Sequence, residues 1–315
     1  MYLTAAFMLS LHAVQAQKTT LNNQPFRDFN VGVSLGTTGV GVDASIHITD
    51  YVRARAGFDV IPHFNMPMSF SLQSYTDGVG VNADNFDKLQ KYMYNLTKVE
   101  VDDMVEMDGT PTMTNFKLLF DVYPWKSKGW RATVGFYAGS RKAAKAVNTM
   151  NEMPSLIAVQ IYNKYYEHIM SDEAMDEPFF GDIYLDPYLV EDLRQKLEAQ
   201  GQMGIHVGDF KDGTPYMMQP DKNSMVKTSA FVNSFKPYVG LGYTGDLLSE
   251  NQRWKIDVDC GMMIWGGSPK LITHDGTDLT HDVTNIKGKP GDYVDLMKSF
   301  KVYPVVSVRF AYILF

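Results

Sequence analysis

The densest grouping of side chains able to do chemistry is His274-Asp275-Gly276-Thr277-Asp278-Leu279-Thr280-His281-Asp282. His274, Asp275, Asp278, His281 and Asp282 supply the oxygen and nitrogen donors that hold divalent ions, and Gly276 lets the chain turn. Their spacing fits no standard metal loop, and Asp-Gly is an ordinary turn signal. The sequence therefore assigns no metal and no other cofactor. The acidic run at residues 172–177 reads as a solvated face. Ser45 and His47 lie two apart with no acid identifiable beside them, which suits interior hydrogen bonding better than nucleophilic catalysis. With no GxSxG, HExxH or phosphate-binding loop, the chain reads as a non-enzyme.

A second set of charges is spread along the chain and has a strict spacing. Asp43, His47, Arg53, Arg55, Asp59, Lys117, Asp121, Arg131, Lys255, Asp257, Asp259 and Arg309 each stand between apolar neighbours in stretches of period two. Val40, Val42, Ala44, Ile46 and Ile48, for example, fall on one face of a strand, and Gly41, Asp43, Ser45, His47 and Thr49 on the other. Strands are predicted at 29–35, 40–48, 52–60, 116–122, 130–138, 235–243, 254–264 and 300–314. Strands of this length cross a bilayer at a tilt.

The connections alternate in length. Those after the second, fourth and sixth strands are short, while about 61–112, 142–234 and 267–299 are long; only the tight turn at 36–39 departs from the rule. An even number of strands places both chain ends on one side, with short turns there and long loops opposite. The loops carry helical signals of their own. Phe86, Leu89, Met93 and Leu96 make one stripe, and Ile157, Ile161, Tyr165 and Ile169 make another after Pro154. A third helix has Asp186 as N-cap, Pro187 in its first turn, Leu189, Leu193 and Leu197 on one face, and Gly201 as its stop. Asp212-Gly213 reads as a hairpin turn. These pieces are expected to pack as a cap over a barrel mouth.

Composition sets the outer bounds. The 315 residues carry a formal charge of −7 with no dense basic face, which argues against a nucleic-acid partner. No apolar run reaches the length of a spanning helix, and mean hydropathy is −0.20. Cys260 has no partner for a disulfide. Residues 1–16 end a short apolar stretch on Val14-Gln15-Ala16 and read as a signal peptide, leaving 17–315 as a single outer-membrane β-barrel domain.

Alternation alone does not say which face points inward. In a soluble sandwich the apolar face is inside; in a membrane barrel it meets lipid and the polar face fills the interior. Two features favour the barrel. The polar face mixes Gly with ions of both signs, as a narrow lumen closed by paired charges requires, and Phe29, Tyr51, Tyr123, Trp125, Trp130, Trp254 and Tyr312 gather near strand ends as an interfacial girdle.

The segments VGVSLGTTGVGVDASIHITDYVRARAGFDV, TNFKLLFDVYPW and KVYPVVSVRFAYILF resemble the small outer-membrane β-barrels of Bacteroidetes-type Gram-negative bacteria. In architecture these are similar to the OmpA/OmpW-like eight-stranded group. The resemblance implies an eight-stranded antiparallel up-and-down membrane barrel with long, partly helical extracellular loops, placed in the cell outer membrane. It also implies outer-membrane lipid and the barrel-assembly machinery as partners. One departure is that Phe315 shares its parity with Arg309, so a fray or bulge at the end is needed to set it on the lipid face. The expected function is a structural or surface-binding barrel whose loops meet an unidentified extracellular ligand. A narrow pore or lateral transporter for small solutes is the alternative, and a lipid-modifying barrel enzyme is third.

Overall fold

The computed structural model describes residues 26–315 apart from 77–79, 83–85, 126–128, 173–183, 185, 249–251, 287 and 300. The leader read at 1–16 and residues 173–177 of the acidic run lie outside the described residues. The chain begins with β1 (Arg27–Gly36), β2 (Gly39–Thr49) and β3 (Val52–Val60). The first long connection holds β4 (Met66–Thr76), β5 (Gly80–Asn82), helix α1 (Phe86–Thr97) and β6 (Met104–Pro111). It leads to β7 (Thr114–Val122) and β8 (Trp130–Gly139). The second holds β9 (Lys142–Asn148), α2 (Met153–Met170), α3 (Pro187–Gln200), β10 (Gln202–Phe210), β11 (Pro215–Met218) and β12 (Lys227–Phe231). After β13 (Phe235–Asp246) and β14 (Trp254–Ile264), the third holds β15 (Lys270–Thr273), β16 (Val283–Thr284) and α4 (Gly288–Ser299), and β17 (Val302–Ile313) ends the fold.

A strand with one polar and one apolar face can satisfy both only if each face meets its own solvent. The eight strands predicted from alternation do this by closing on themselves. β1, β2, β3, β7, β8, β13, β14 and β17 pair in that order, each antiparallel to the next, and β17 returns to β1. Closure leaves no unpaired strand edge, the condition for crossing lipid with strands. The apolar face is the outer one: Val33, Val42, Phe58, Val239 and Leu241 are exposed, Leu241 at 62%, while the charged residues between them are buried. This is a membrane barrel inside out relative to a soluble one. No helix among the described residues is long and apolar enough to cross a membrane.

Aromatic residues ring the short-turn end. Trp130 packs edge-on to Tyr243 and Trp254 tilts against Tyr312. Tyr123, expected in the girdle, instead points inward, is 8% exposed and reaches Thr244 with its hydroxyl. Its position next to the last residue of β7 gives it the lumen parity of Asp121. The terminal departure is resolved by a bulge, in which Phe29 accepts from the Leu314 amide and donates to the Phe315 carbonyl. β17 stops at Ile313, and Phe315 stacks on Phe29 at 5.3 Å.

The long connections hold more than helices. Seven of their strands form a second sheet in the order β11-β10-β4-β6-β9-β12-β15, with β5 and β16 at its margins. Five of these are direct extensions of barrel strands: β3 runs into β4, β6 into β7, β8 into β9, β12 into β13 and β14 into β15. Their order in the cap repeats their order in the barrel. Backbone hydrogen bonds carry the ladder across the step, from Ile61 to Met113, Thr112 to Ala143, Val232 to Arg141 and Asn233 to Trp265. The cap is thus the barrel wall continued on five of its eight strands.

The cap's core lies between the inner face of this sheet and the helices. Leu72, Val105 and Met107 meet Leu156, Val159 and Tyr162 of α2, and Met93 of α1 joins them. The stripe predicted on α2 holds at Tyr165 and Ile169, which pack into the core, and fails in its first half. Ile157 and Ile161 are exposed, and Leu156, Ala158, Val159, Tyr162 and Asn163 are buried. α2 is apolar on several sides, so its period does not select a face. Two polar contacts do. Tyr162 donates to the Gly201 carbonyl, and Asn163 pairs with both backbone groups of Met203 at the start of β10. On α3 the predicted cap holds, with Asp186 accepting from the Tyr188 amide and Gly201 ending the helix at a φ of 75°. Leu197 and Val190 are buried there, while Leu189 is exposed. The predicted turn at Asp212-Gly213 joins β10 to β11.

The lipid face can be tested directly. Leu241→Arg, at mid-strand, is expected to lower barrel stability in vesicles by about 2–4 kcal/mol. The same change on an exposed soluble surface would fall within about 0.5 kcal/mol. Urea unfolding in lipid vesicles, followed by tryptophan fluorescence, distinguishes the two.

Candidate functional site

An eight-stranded barrel has an interior just wide enough for side chains, so whatever lines it must also fill it. Glycines on the inner register make the space. A Cβ at Gly32 would sit 2.7 Å from the guanidinium of Arg309, and one at Gly242 would sit 2.8 Å from that of Arg131. The bare backbone at these two positions is what lets flat, wide guanidinium groups lie against the wall.

Ten charged side chains then join into one network. Asp121 accepts from Arg53 at 2.8 Å, from Arg55 at 2.8 Å and from the Thr133 hydroxyl at 2.7 Å. Asp257 accepts from Arg53 at 3.1 Å, Arg131 at 3.2 Å and Arg309 at 2.8 Å. Asp259 accepts from Arg55 at 2.9 Å and Arg131 at 2.8 Å. Arg309 also donates to Asp43 at 2.5 Å, and Asp43 lies 3.1 Å from the Lys117 ammonium, which in turn donates to Asp59 at 2.8 Å. Asn30, Ser34, Thr38 and Thr244 add further hydrogen bonds to the set.

The cations are Arg53, Arg55, Lys117, Arg131 and Arg309, and the anions are Asp43, Asp59, Asp121, Asp257 and Asp259. Five balance five, and all ten are buried. An isolated ion in such a place is prohibitively costly, and only pairing with further hydrogen bonds makes it tolerable. Neutrality of the set is what makes the burial of so many ions tolerable.

Toward the cap the lumen changes character. Met113, Leu119, Tyr137, Tyr238, Met263 and Val305 form a second buried layer, with Tyr137 and Tyr238 in an edge-on contact at 5.5 Å. The sequence reading did not single these out. Their signal was a parity violation: Leu119, Met263 and Val305 are apolar residues on the otherwise polar register. Lys236 was also missed. It is fully buried, and its ammonium donates to Asn115 Oδ1 at 2.9 Å and to the carbonyls of Ser140 and Ser234. It ties the barrel rim to the first residues of the cap.

Two of the predicted lumen residues stand apart from the network. Lys255 lies on the inner register at the short-turn rim and pairs with Asp246. His47, at the same rim, packs against Tyr123 with ring centroids 5.8 Å apart and lies 3.6 Å from Asp28. Ser45 donates to Asn30 at 2.7 Å, an interior hydrogen bond of the expected kind. Cys260 sits on the exposed, lipid-facing register.

The His/Asp loop of the cap spends its side chains on its own turns. Asp275 accepts from Thr273, Tyr216 and the Thr277 amide. Burial alone would raise its pKa, but these hydrogen bonds outweigh burial and hold it below the ordinary carboxylate value. Asp278 accepts from the Thr280 amide and meets His281 Nδ1 at 2.9 Å. His274 Nδ1 accepts from the Lys227 amide, and Asp282 is exposed. Among the described residues no group of three such side chains converges on a metal-sized point.

Charge balance predicts a mutational sign. Asp257→Asn leaves an uncompensated cation and is expected to destabilise the barrel by about 3–5 kcal/mol. Adding Arg309→Gln restores neutrality and should recover part of that loss, although it removes further hydrogen bonds. Vesicle unfolding of both single variants and the double variant measures the coupling. Strictly additive losses would contradict the balance.

Comparison with known proteins finds similar solved structures, two of them outer-membrane CarO proteins. The chain is similar to Acinetobacter baumannii CarO2 at 15% identity over 92% of this chain and 99% of that one, with a TM-score of 0.38. It is similar to Acinetobacter baumannii CarO at 14% identity over 93% and 100%, again with a TM-score of 0.38. No protein-family model matches, and no curated protein matches. A TM-score of 0.38 is too low to carry the fold, which rests on the chain's own strand ladders.

Proposed function

We propose that the chain is a non-enzymatic outer-membrane protein in which the barrel is a sealed anchor and the cap is a ligand-binding part held outside the cell. The observation that carries this reading is the filled lumen. Ten mutually paired, buried charges occupy one section, and an apolar, aromatic layer occupies the next. A solute crossing the barrel would have to part ion pairs that have no water to replace them. The short turns mark the periplasmic end and the cap the extracellular one, following the usual orientation of such barrels. Outer-membrane lipid and the barrel-assembly machinery are then its constitutive partners, and the strand segments' resemblance to Bacteroidetes-type small barrels supports the same placement.

Two measurements test this. Purified protein in planar bilayers or swelling liposomes is expected to give no conductance and no solute uptake; a stable open level at neutral pH would favour the narrow-pore alternative. For orientation, Tyr188→Cys places a thiol at a 90% exposed cap position. An impermeant maleimide should label it on intact cells, whereas labelling only after outer-membrane lysis would reverse the assignment. Unaltered lipid A in cells carrying or lacking the protein is the result expected of a non-enzyme.

A further inference from the structure

The inner face of the cap wall is filled at one end and hollow at the other. Near α2, Leu72 and Val105 close against helix side chains. Toward the barrel the same face carries Gly109, Ala144, Ala146 and Ala230, which are too short to reach across. Met66 and Met68 flank the gap, and Val294 of α4 helps to close it. The result is a partly open apolar pocket of about 110 Å³ just above the membrane-spanning wall. Of its fifteen lining residues only Lys145 and Thr228 are polar, and Lys145 is solvent exposed.

Met66, Met68, Ala144 and Ala146 are only half-buried, so part of this apolar lining faces water, which is a cost unless something occupies the pocket. Water is a poor occupant, because a buried water needs two to four polar partners. Apolar cavities of roughly this scale stay dry and take up benzene-sized molecules. Methionine side chains, flexible and polarizable, fit themselves to such guests. We infer that this cavity is a binding site for a small uncharged hydrocarbon group, either a compact ring or the end of an alkyl chain. The group comes from a free apolar solute or from the acyl tail of a membrane lipid. The inference rests on the cap being the ligand-binding part of the molecule and names the class of ligand.

The test uses the full chain in phosphatidylcholine nanodiscs with methyl-13C methionine. Benzene and n-hexane are titrated in turn. Saturable shifts are expected at the methyls of Met66, Met68 and Met107, which line the cavity. Gly109→Leu directs new carbons at Met68, since a Cβ there already meets the Met68 methyl at 3.0 Å. It should weaken binding by at least about tenfold. Ala144→Leu fills the cavity from the neighbouring strand and should do the same. Heat-dependent gel mobility verifies that each variant is folded. Absence of saturable shifts, or binding that both folded fillers leave intact, overturns the site. Nanodiscs with lipid labelled at the terminal methyl separate the sources. A methionine–lipid Overhauser contact that benzene displaces identifies the tail, and solute binding without that contact identifies a free molecule. Conductance reports on the lumen alone, so a leaky barrel and an empty cavity are separate failures.

Discussion

Everything in this molecule is arranged around the need to bury ten charges without leaving one unpaired. Asp257 shows how tight that need is, since Arg53, Arg131 and Arg309 all converge on it from three different strands. Such a group cannot form within one hairpin. Arg53 on β3 and Asp257 on β14 are 204 residues apart in sequence, and they meet only once the barrel has closed. The network therefore acts as a lock on closure and on register. A one-residue slip of any strand would carry its charges to the lipid face and its apolar residues into the lumen. Both errors are costly, and they occur together.

That lock has consequences beyond the membrane. Because β4, β6, β9, β12 and β15 continue barrel strands and backbone hydrogen bonds bridge the junctions, the strand order closed by the ion network passes to the cap, with the register stepping by one residue from Val60 opposite Thr114 in the barrel to Met66 opposite Gly109 in the cap. Those five strands need no separate device to find their order, and β10 and β11 add to them through β4. Lys236 reinforces the junction by fastening Asn115 to the backbone at Ser140 and Ser234. The side of the wall above β1, β2 and β17 is not extended in this way. There the tight turn at Gly36–Gly39 and the late start of β17 leave the connection between β14 and β17 to supply β16 and α4. β16 pairs with β10, and α4 supplies Val294 to the cap interior.

How much of this the sequence discloses follows from how strongly each part alternates. The barrel strands read clearly because lipid on one side and ions on the other demand opposite residue types at every step. Asp43 between Val42 and Ala44, or Asp257 between Ile256 and Val258, marks a strand with one polar and one apolar face. The cap strands are legible only in hindsight. In β9 the sequence KAAKAVN, and in β12 KTSAF, offer small residues on the inner face and little contrast with the outer one. Nothing local distinguishes them from loop. The second lumen layer was hidden for a different reason: Leu119, Met263 and Val305 look like noise in an alternating pattern unless apolar residues on the lumen side are expected near one mouth. α2 misled because an all-round apolar helix leaves its face to be chosen by Tyr162 and Asn163, whose partners lie about 40 residues onward.

The same small residues that made the cap strands hard to read also define its interior. A wall that had to pack tightly against helices along its whole length would carry large side chains throughout, as Leu72 and Val105 do at the α2 end. Instead, the stretch nearest the membrane alternates toward Gly and Ala on β6, β9 and β12, on adjacent strands and on the same face. Backbone at this point is held by the ladder and so by the ion network below it; the wall cannot collapse inward to fill the space. A rigid barrel therefore does more for the cap than anchor it. It also fixes the spacing of the strands that line the hollow, and on the proposed reading the ligand meets the first stretch of wall beyond the lipid.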